Sequence, residues 1–349
     1  MKQSLTVIMP GNVASARFTL MLAEALKGVP AHIQTTLEAP LEQERLLFAI
    51  PLDESGVNHE YYSLLAYLRT HPGCLKGCVG SVLVDGPSNL YTKSVGRDLV
   101  LAASLAGCTF PGRPLVEAIG NLQNFKVQAK NAGCDLMTAY RLSAFNLVNR
   151  TMTFAAPRAK HPHLLVLHAS SRTTSNTLDL WGRVRSELDP HCDITEIGLR
   201  NGTLEDCAGC PYTTCLHFGE QGECFYGGVM VQEVYPALRD ADAVVLLCPN
   251  YNDALSANIT AAINRLTALY RTTPFHDKAV FAMVVSGYSG GDIVASQVVS
   301  AMNMNKGFWL PPEFCLLETA NDAGTAIRLP GIEERLSGFA QNMLHQLLA

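Results

Sequence analysis

Four cysteines, Cys207, Cys210, Cys215 and Cys224, fall within eighteen residues at the spacing C-x2-C-x4-C-x8-C. Four thiolates so spaced hold a tetrahedral zinc or an iron–sulfur cluster, and spacing alone does not separate the two. A third reading leaves them metal-free, packing as small side chains or cycling between dithiol and disulfide. His217, inside the same loop, could replace a cysteine as ligand but reads better as a solvent-facing residue. Cys74 and Cys78 form a lone C-x3-C pair and read as incidental.

A second stretch that could do chemistry is Ser170-Ser171-Arg172-Thr173-Thr174-Ser175-Asn176-Thr177, directly after the apolar run His163–His168. A strand–loop–helix turn aims backbone N–H groups and a helix dipole at one point, where an anion is favoured. Hydroxyls and one arginine complete a cradle for a phosphate monoester, without the glycines a pyrophosphate requires. Plain N-capping by Ser175 or Thr174 is the competing reading, and it needs only one hydroxyl. Two further loops follow apolar runs. Pro249-Asn250-Tyr251-Asn252-Asp253-Ala254-Leu255-Ser256 offers an aromatic and small polar groups, and Ser286-Gly287-Tyr288-Ser289-Gly290-Gly291 offers glycines that let backbone approach a ligand closely.

Composition bounds the rest. The 349 residues exceed what one core usually organises, so two domains are expected. Hydrophobic content of 48% against 16% charged describes a well-buried globular chain. Net charge is 26 − 31 = −5 without a basic run, which argues against nucleic acid or an anionic membrane surface as partner. The opening Met-Lys-Gln-Ser-Leu-Thr-Val-Ile-Met-Pro-Gly has an apolar stretch too short for a signal peptide, and no segment reaches membrane-helix length. Eleven cysteines, several in apolar runs (Cys108, Cys248, Cys315), point to a reducing cytoplasm.

The elements that must position these loops alternate in type. In the second half, apolar strands at His163–His168, 193–199, 243–248, 279–285 and about 314–317 are separated by helical stretches, with a last helix near 332–348. That rhythm predicts a parallel sheet covered on both faces, in the order 2-1-3-4-5, with its ligand beyond the carboxyl ends of the strands. The first half repeats it, with strands at 5–9, 33–37, 45–51, 79–85 and 114–117 and helices at 14–26, 60–69 and 96–106. Overlaying Leu5 on Leu164 without gaps sets Gly11 on Ser170, Val13 on Arg172, Arg17 on Asn176 and Phe18 on Thr177. This reads as a duplication whose first copy lost its polar loop; two unrelated α/β domains are the alternative. Tyr91 and Lys93 occupy a strand-end loop comparable to the Tyr251 region, with no phosphate expected there, and Trp181 and Trp309 read as packing residues. The fold class is therefore α/β, two tandem flavodoxin-like doubly wound sheets, 1–155 degenerate and 160–349 ligand-binding, joined by a Pro- and charge-rich linker.

On the polar loop, the cysteine run, Pro249-Asn250-Tyr251 and Ala261-Ala262-Ile263-Asn264-Arg265, residues 160–349 resemble the NADPH-dependent FMN reductase group, and most closely its iron–sulfur flavoprotein branch. The resemblance implies an FMN phosphate on Ser170, Arg172, Ser175, Asn176 and Thr177. It implies the isoalloxazine ring on Pro249, Asn250, Tyr251, Asn252, Ser286, Gly287 and Tyr288. It also implies a [4Fe–4S] cluster on the four loop cysteines, zinc being the weaker alternative. The cysteines here are spaced more widely than in that branch, and Gly227-Gly228-Val229 replaces an acidic pair. The activity implied is NAD(P)H-dependent oxidoreduction delivering electrons to an acceptor, with no catalytic side chain and no His/Asp constellation needed for the hydride step. Relatives hold flavin near a subunit interface, so a homo-oligomer, or a covering role for the first half, is implied. A non-enzymatic electron carrier or redox sensor is the alternative function, and a zinc-braced interaction module a third.

Overall fold

A computed structural model describes residues 4–11, 15–170 and 175–349. The chain divides into two compact units, Met1–Ala155 and Ala156–Ala349. Valine-, leucine- and isoleucine-rich runs become strands buried on both faces, as parallel sheets require; all eight residues of Ala279–Ser286 are buried.

The first unit contains β1 (Leu5–Ile8), β2 (Ala31–Gln34), β3 (Arg45–Pro51), β4 (Val79–Asp85) and β5 (Leu115–Ala118), all parallel, in the order β2-β1-β3-β4-β5. Its helices are α1 (Ala16–Ala25), α2 (His59–Thr70), α3 (Thr92–Leu105), α4 (Lys126–Ala132) and α5 (Leu136–Thr153). Ser15 caps α1, its Oγ accepting from Phe18 N–H at 3.1 Å. Helices α1 and α5 pack together over one sheet face, where Phe18, Met21, Leu47, Leu83, Tyr140 and Leu147 share a core.

The second unit runs β6 (His163–His168), α6 (Asn176–Leu188), β7 (Asp193–Gly198), α7 (Tyr212–Glu220), α8 (Tyr235–Asp240) and β8 (Ala243–Pro249). It continues through α9 (Ala257–Leu269), β9 (Ala279–Ser286), α10 (Gly291–Val298), β10 (Cys315–Thr319) and α11 (Ile332–Leu347). Its parallel order, β10-β9-β8-β6-β7, is the same as the first sheet's read from the other edge. Both sheets have the expected 2-1-3-4-5 order. Trp181 and Trp309 are fully buried packing residues.

Three elements depart from the sequence expectation. Helices α4 and α5 were not foreseen; in α5 the exposed apolar residues Met137, Leu142 and Phe145 blur the buried stripe that runs through Tyr140, Ala144, Leu147 and Thr151. The cysteine stretch is not all loop: α7 passes through it and carries Cys215, despite threonine, cysteine and glycine, which are weak helix formers. Tyr91 follows the fourth strand, so its counterpart is Tyr288 and not Tyr251. Among the described residues no helix is long and apolar enough to cross a membrane.

Candidate functional site

The loops singled out in the second half meet at one edge of its sheet. Ser170 follows β6, Pro249 to Asn252 close β8, and Ser286 to Tyr288 close β9. Ser171, Arg172, Thr173 and Thr174 lie outside the described residues. Asn250 ties two of the loops together: its Nδ2 lies 3.1 Å from Ser286 Oγ, 3.1 Å from Asp253 Oδ1 and 3.2 Å from the Ser289 carbonyl. Gly290 has φ 86° and a Cβ there would collide with the Asp253 carboxylate, so this close approach needs glycine. Asn252 and Asp253 are left-handed at φ 57° and 53°, a conformation asparagine and aspartate tolerate.

Three buried polar atoms at this edge, Ser170 Oγ, Asn250 Oδ1 and Ser256 Oγ, find no hydrogen-bond partner among the described residues. Buried polar groups are ordinarily paired, so each of these atoms has bonding capacity left for a polar ligand. Tyr251 and Tyr288 stand 61% and 78% exposed beside it, rings available for stacking. Other expected contact residues also bond within the protein. Ser175 Oγ caps α6 by accepting from Leu178 N–H at 3.2 Å. Asn176 donates to the carbonyls of Ala320 and Asp322 at 3.2 and 2.9 Å, holding the loop after β10, and Thr177 is buried.

A cavity of about 940 Å³ opens beside Ser170 at the carboxyl ends of β6 and β7, lined also by His168, Glu196, Arg200, Gln232 and Glu233. The sequence suggested no histidine–carboxylate pair, yet His168 Nε2 lies 3.4 Å from Glu196 Oε1. Trp181 Nε1–H and Arg185 Nη1–H donate to the other Glu196 oxygen, each at 3.2 Å. Pairing two residues 28 positions apart depends on the β6–β7 register, where His168 sits opposite Gly198. Their only trace in the sequence is a polar residue ending one apolar run and an alternating one in the next.

The four loop cysteines line one pocket of about 160 Å³, together with Phe218, Phe225, Tyr226 and Arg265. Cys207 is exposed, and Cys210, Cys215 and Cys224 are partly exposed. Among the described residues no three His, Cys, Asp or Glu side chains converge where a single metal ion could be held. The four thiols surround one space without three of them meeting at a point. All eleven cysteines are free thiols. Away from this loop, burial pushes Cys78 and Cys192 up to about 11 and Cys248 up to about 12, so those stay protonated and inert at neutral pH.

The matching edge of the first unit holds a hollow of about 800 Å³. Arg17, the counterpart of Asn176, likewise holds the loop after the fifth strand, donating to the Gly120 carbonyl at 3.0 Å. It also forms a bidentate pair with Asp85, at 2.7 and 3.1 Å. Asp53, Glu54 and Glu60 line the same hollow. Tyr91 lines a separate hollow of about 310 Å³ near Arg69 and Asp98, and Lys93 is exposed.

Residues 162–322 match the NADPH-dependent FMN reductase family. The FMN reductase segment spans β6 to β10 and so contains both the polar edge and the cysteine pocket. For this segment the match indicates an oxidoreductase, the family's description naming FMN and NADPH. No curated protein matches the chain. Among solved structures, RosB bound to 8-demethyl-8-formylriboflavin-5'-phosphate is 14% identical, covering 53% of this chain and 78% of its own at TM-score 0.42. The NAD(P)H:quinone oxidoreductase of Methanothermobacter marburgensis is 14% identical over 53% of this chain and 98% of its own, at 0.41. An FMN-dependent NADH-azoreductase from Bacillus anthracis, in complex with FMN, is 10% identical over 52% and 99%, at 0.38.

Proposed function

We propose that the second unit binds FMN at the carboxyl edge of its sheet and uses NAD(P)H to reduce an electron acceptor. The observation that carries this reading is the family match over 162–322, which contains Ser170, Asn250 and Ser256 with their unpartnered oxygens. Bound FMN would supply the redox chemistry, accepting a hydride from NAD(P)H and releasing electrons onward. The chain's own residues bind and orient. Ser170 and the α6 N-terminus favour a phosphate, Asn250 and Ser256 offer oxygens to ring N–H groups or ribityl hydroxyls, and Tyr251 and Tyr288 offer aromatic faces. The cysteine pocket is read as an iron–sulfur site that takes the electrons singly; four thiols lining one space support it.

The first unit is read as a degenerate copy. Its edge is acidic, and its arginine there, Arg17, is already paired with Asp85, so a phosphate would meet repulsion.

Anaerobically purified protein is expected to carry FMN, and NADPH to bleach the flavin's visible absorbance. Failure to take up FMN at micromolar concentration would overturn the reading. Bound flavin that no pyridine nucleotide reduces would favour a carrier or sensor.

A further inference from the structure

Arg265, on α9, is 2% exposed. Its Nη2 donates to the Gly227 carbonyl at 2.6 Å and its Nη1 to the Glu205 carbonyl at 3.4 Å, while Nε finds no partner among the described residues. None of the ion pairs among the described residues includes it. Its guanidinium lies 6.0 Å from the Tyr226 ring centroid, a weak partner for a full charge. Arginine does not shed its proton inside proteins, and a buried charge left uncompensated is strongly unfavourable. The pocket it faces contains Cys207, Cys210, Cys215 and Cys224, which as thiols are neutral. As thiolates around an iron–sulfur core they form a net negative group.

We propose that Arg265 is the buried counter-charge of an anionic, thiolate-ligated iron–sulfur cluster in this pocket. The proposal rests on the cysteine reading above and is independent of the flavin. Cluster assembly releases one proton from each thiol, and the fixed guanidinium stabilises the negative charge that results. One-electron reduction makes the cluster more negative, so the arginine favours the reduced form and raises the reduction potential. Helix α9 also connects this pocket to the polar edge: eight residues, roughly 12 Å of helix, separate Ala257 from Arg265.

The test uses full-length wild type, Arg265→Lys and Arg265→Met, purified anaerobically, with iron, acid-labile sulfide, zinc and FMN measured separately. Wild type and Arg265→Lys are expected to contain iron and sulfide in equal amounts. Arg265→Met is expected to lose iron to a chelator at least tenfold faster, or to keep the cluster at a lower midpoint potential. Where Arg265→Met does not fold, Arg265→Gln, which keeps amide donors without the charge, provides the second readout of iron retention and midpoint potential. A folded Arg265→Met or Arg265→Gln with unchanged iron retention and potential would overturn the proposal. Wild type with FMN but with zinc or no metal would overturn it while leaving the flavin reading standing. Iron without FMN would support it and sink the flavin reading.

Discussion

Arg17 and Asn176 are chemically unlike, yet each lies in the first turn of its unit's first helix and holds the loop after the fifth strand. The ungapped overlay that pairs them depends on sequence alone, and the shared job supports the duplication. Their energetics differ. Asp85 is 3% exposed and accepts from Arg17 and from the Tyr140 hydroxyl, so Arg17→Ala leaves a buried carboxylate without its cation. That loss should cost about 3–5 kcal/mol. Asn176→Ala removes neutral hydrogen bonds and should cost about 1–3 kcal/mol. Urea denaturation at constant m-value measures both, and equal losses would count against a charge-based role for Arg17.

At the scale of elements, the cysteine pocket depends on how α7 lies against α9. Gly219, in the last turn of α7, approaches so closely that a Cβ would come 2.7 Å from the Ala268 carbonyl. Backbone cannot yield as a flexible side chain would. Gly219→Ala should therefore lift α7 and cost about 1–3 kcal/mol. Because Cys215 moves with α7, iron content should fall in parallel. Unchanged iron with reduced stability would show that the pocket does not depend on this contact. The sequence marks Gly219 only as a weak residue in a possible helix; the reason for it lies in the neighbouring helix.

At the scale of the whole molecule, two units of one topology carry opposite edges, acidic in the first and unpartnered-polar in the second. Ligand binding should therefore stabilise only one of them. With two units, a single two-state transition is not expected. FMN at a hundred times its dissociation constant should stabilise the second unit's transition by about 2.7 kcal/mol and leave the first unit's unmoved. Calorimetry with and without FMN reads this directly, and a shift confined to the first unit's transition would reverse the assignment.

The sequence by itself determined the strand–helix alternation, both strand orders and the loops that share an edge. Strands buried on both faces leave continuous apolar runs, and a parallel sheet directs its βα loops to one side. Boundaries such as Arg45–Pro51 and Val79–Asp85 were legible to the residue. Only the tertiary structure decided which polar groups remain for a ligand. Ser175 and Asn176, read as phosphate contacts, also cap α6 and hold the β10 loop. His168 met Glu196, and Arg265 met the cysteines, through register and helix packing across tens of residues. A side chain's chemistry is written in its type, but whether its hydrogen bonds and charge are already satisfied depends on neighbours that only folding brings together.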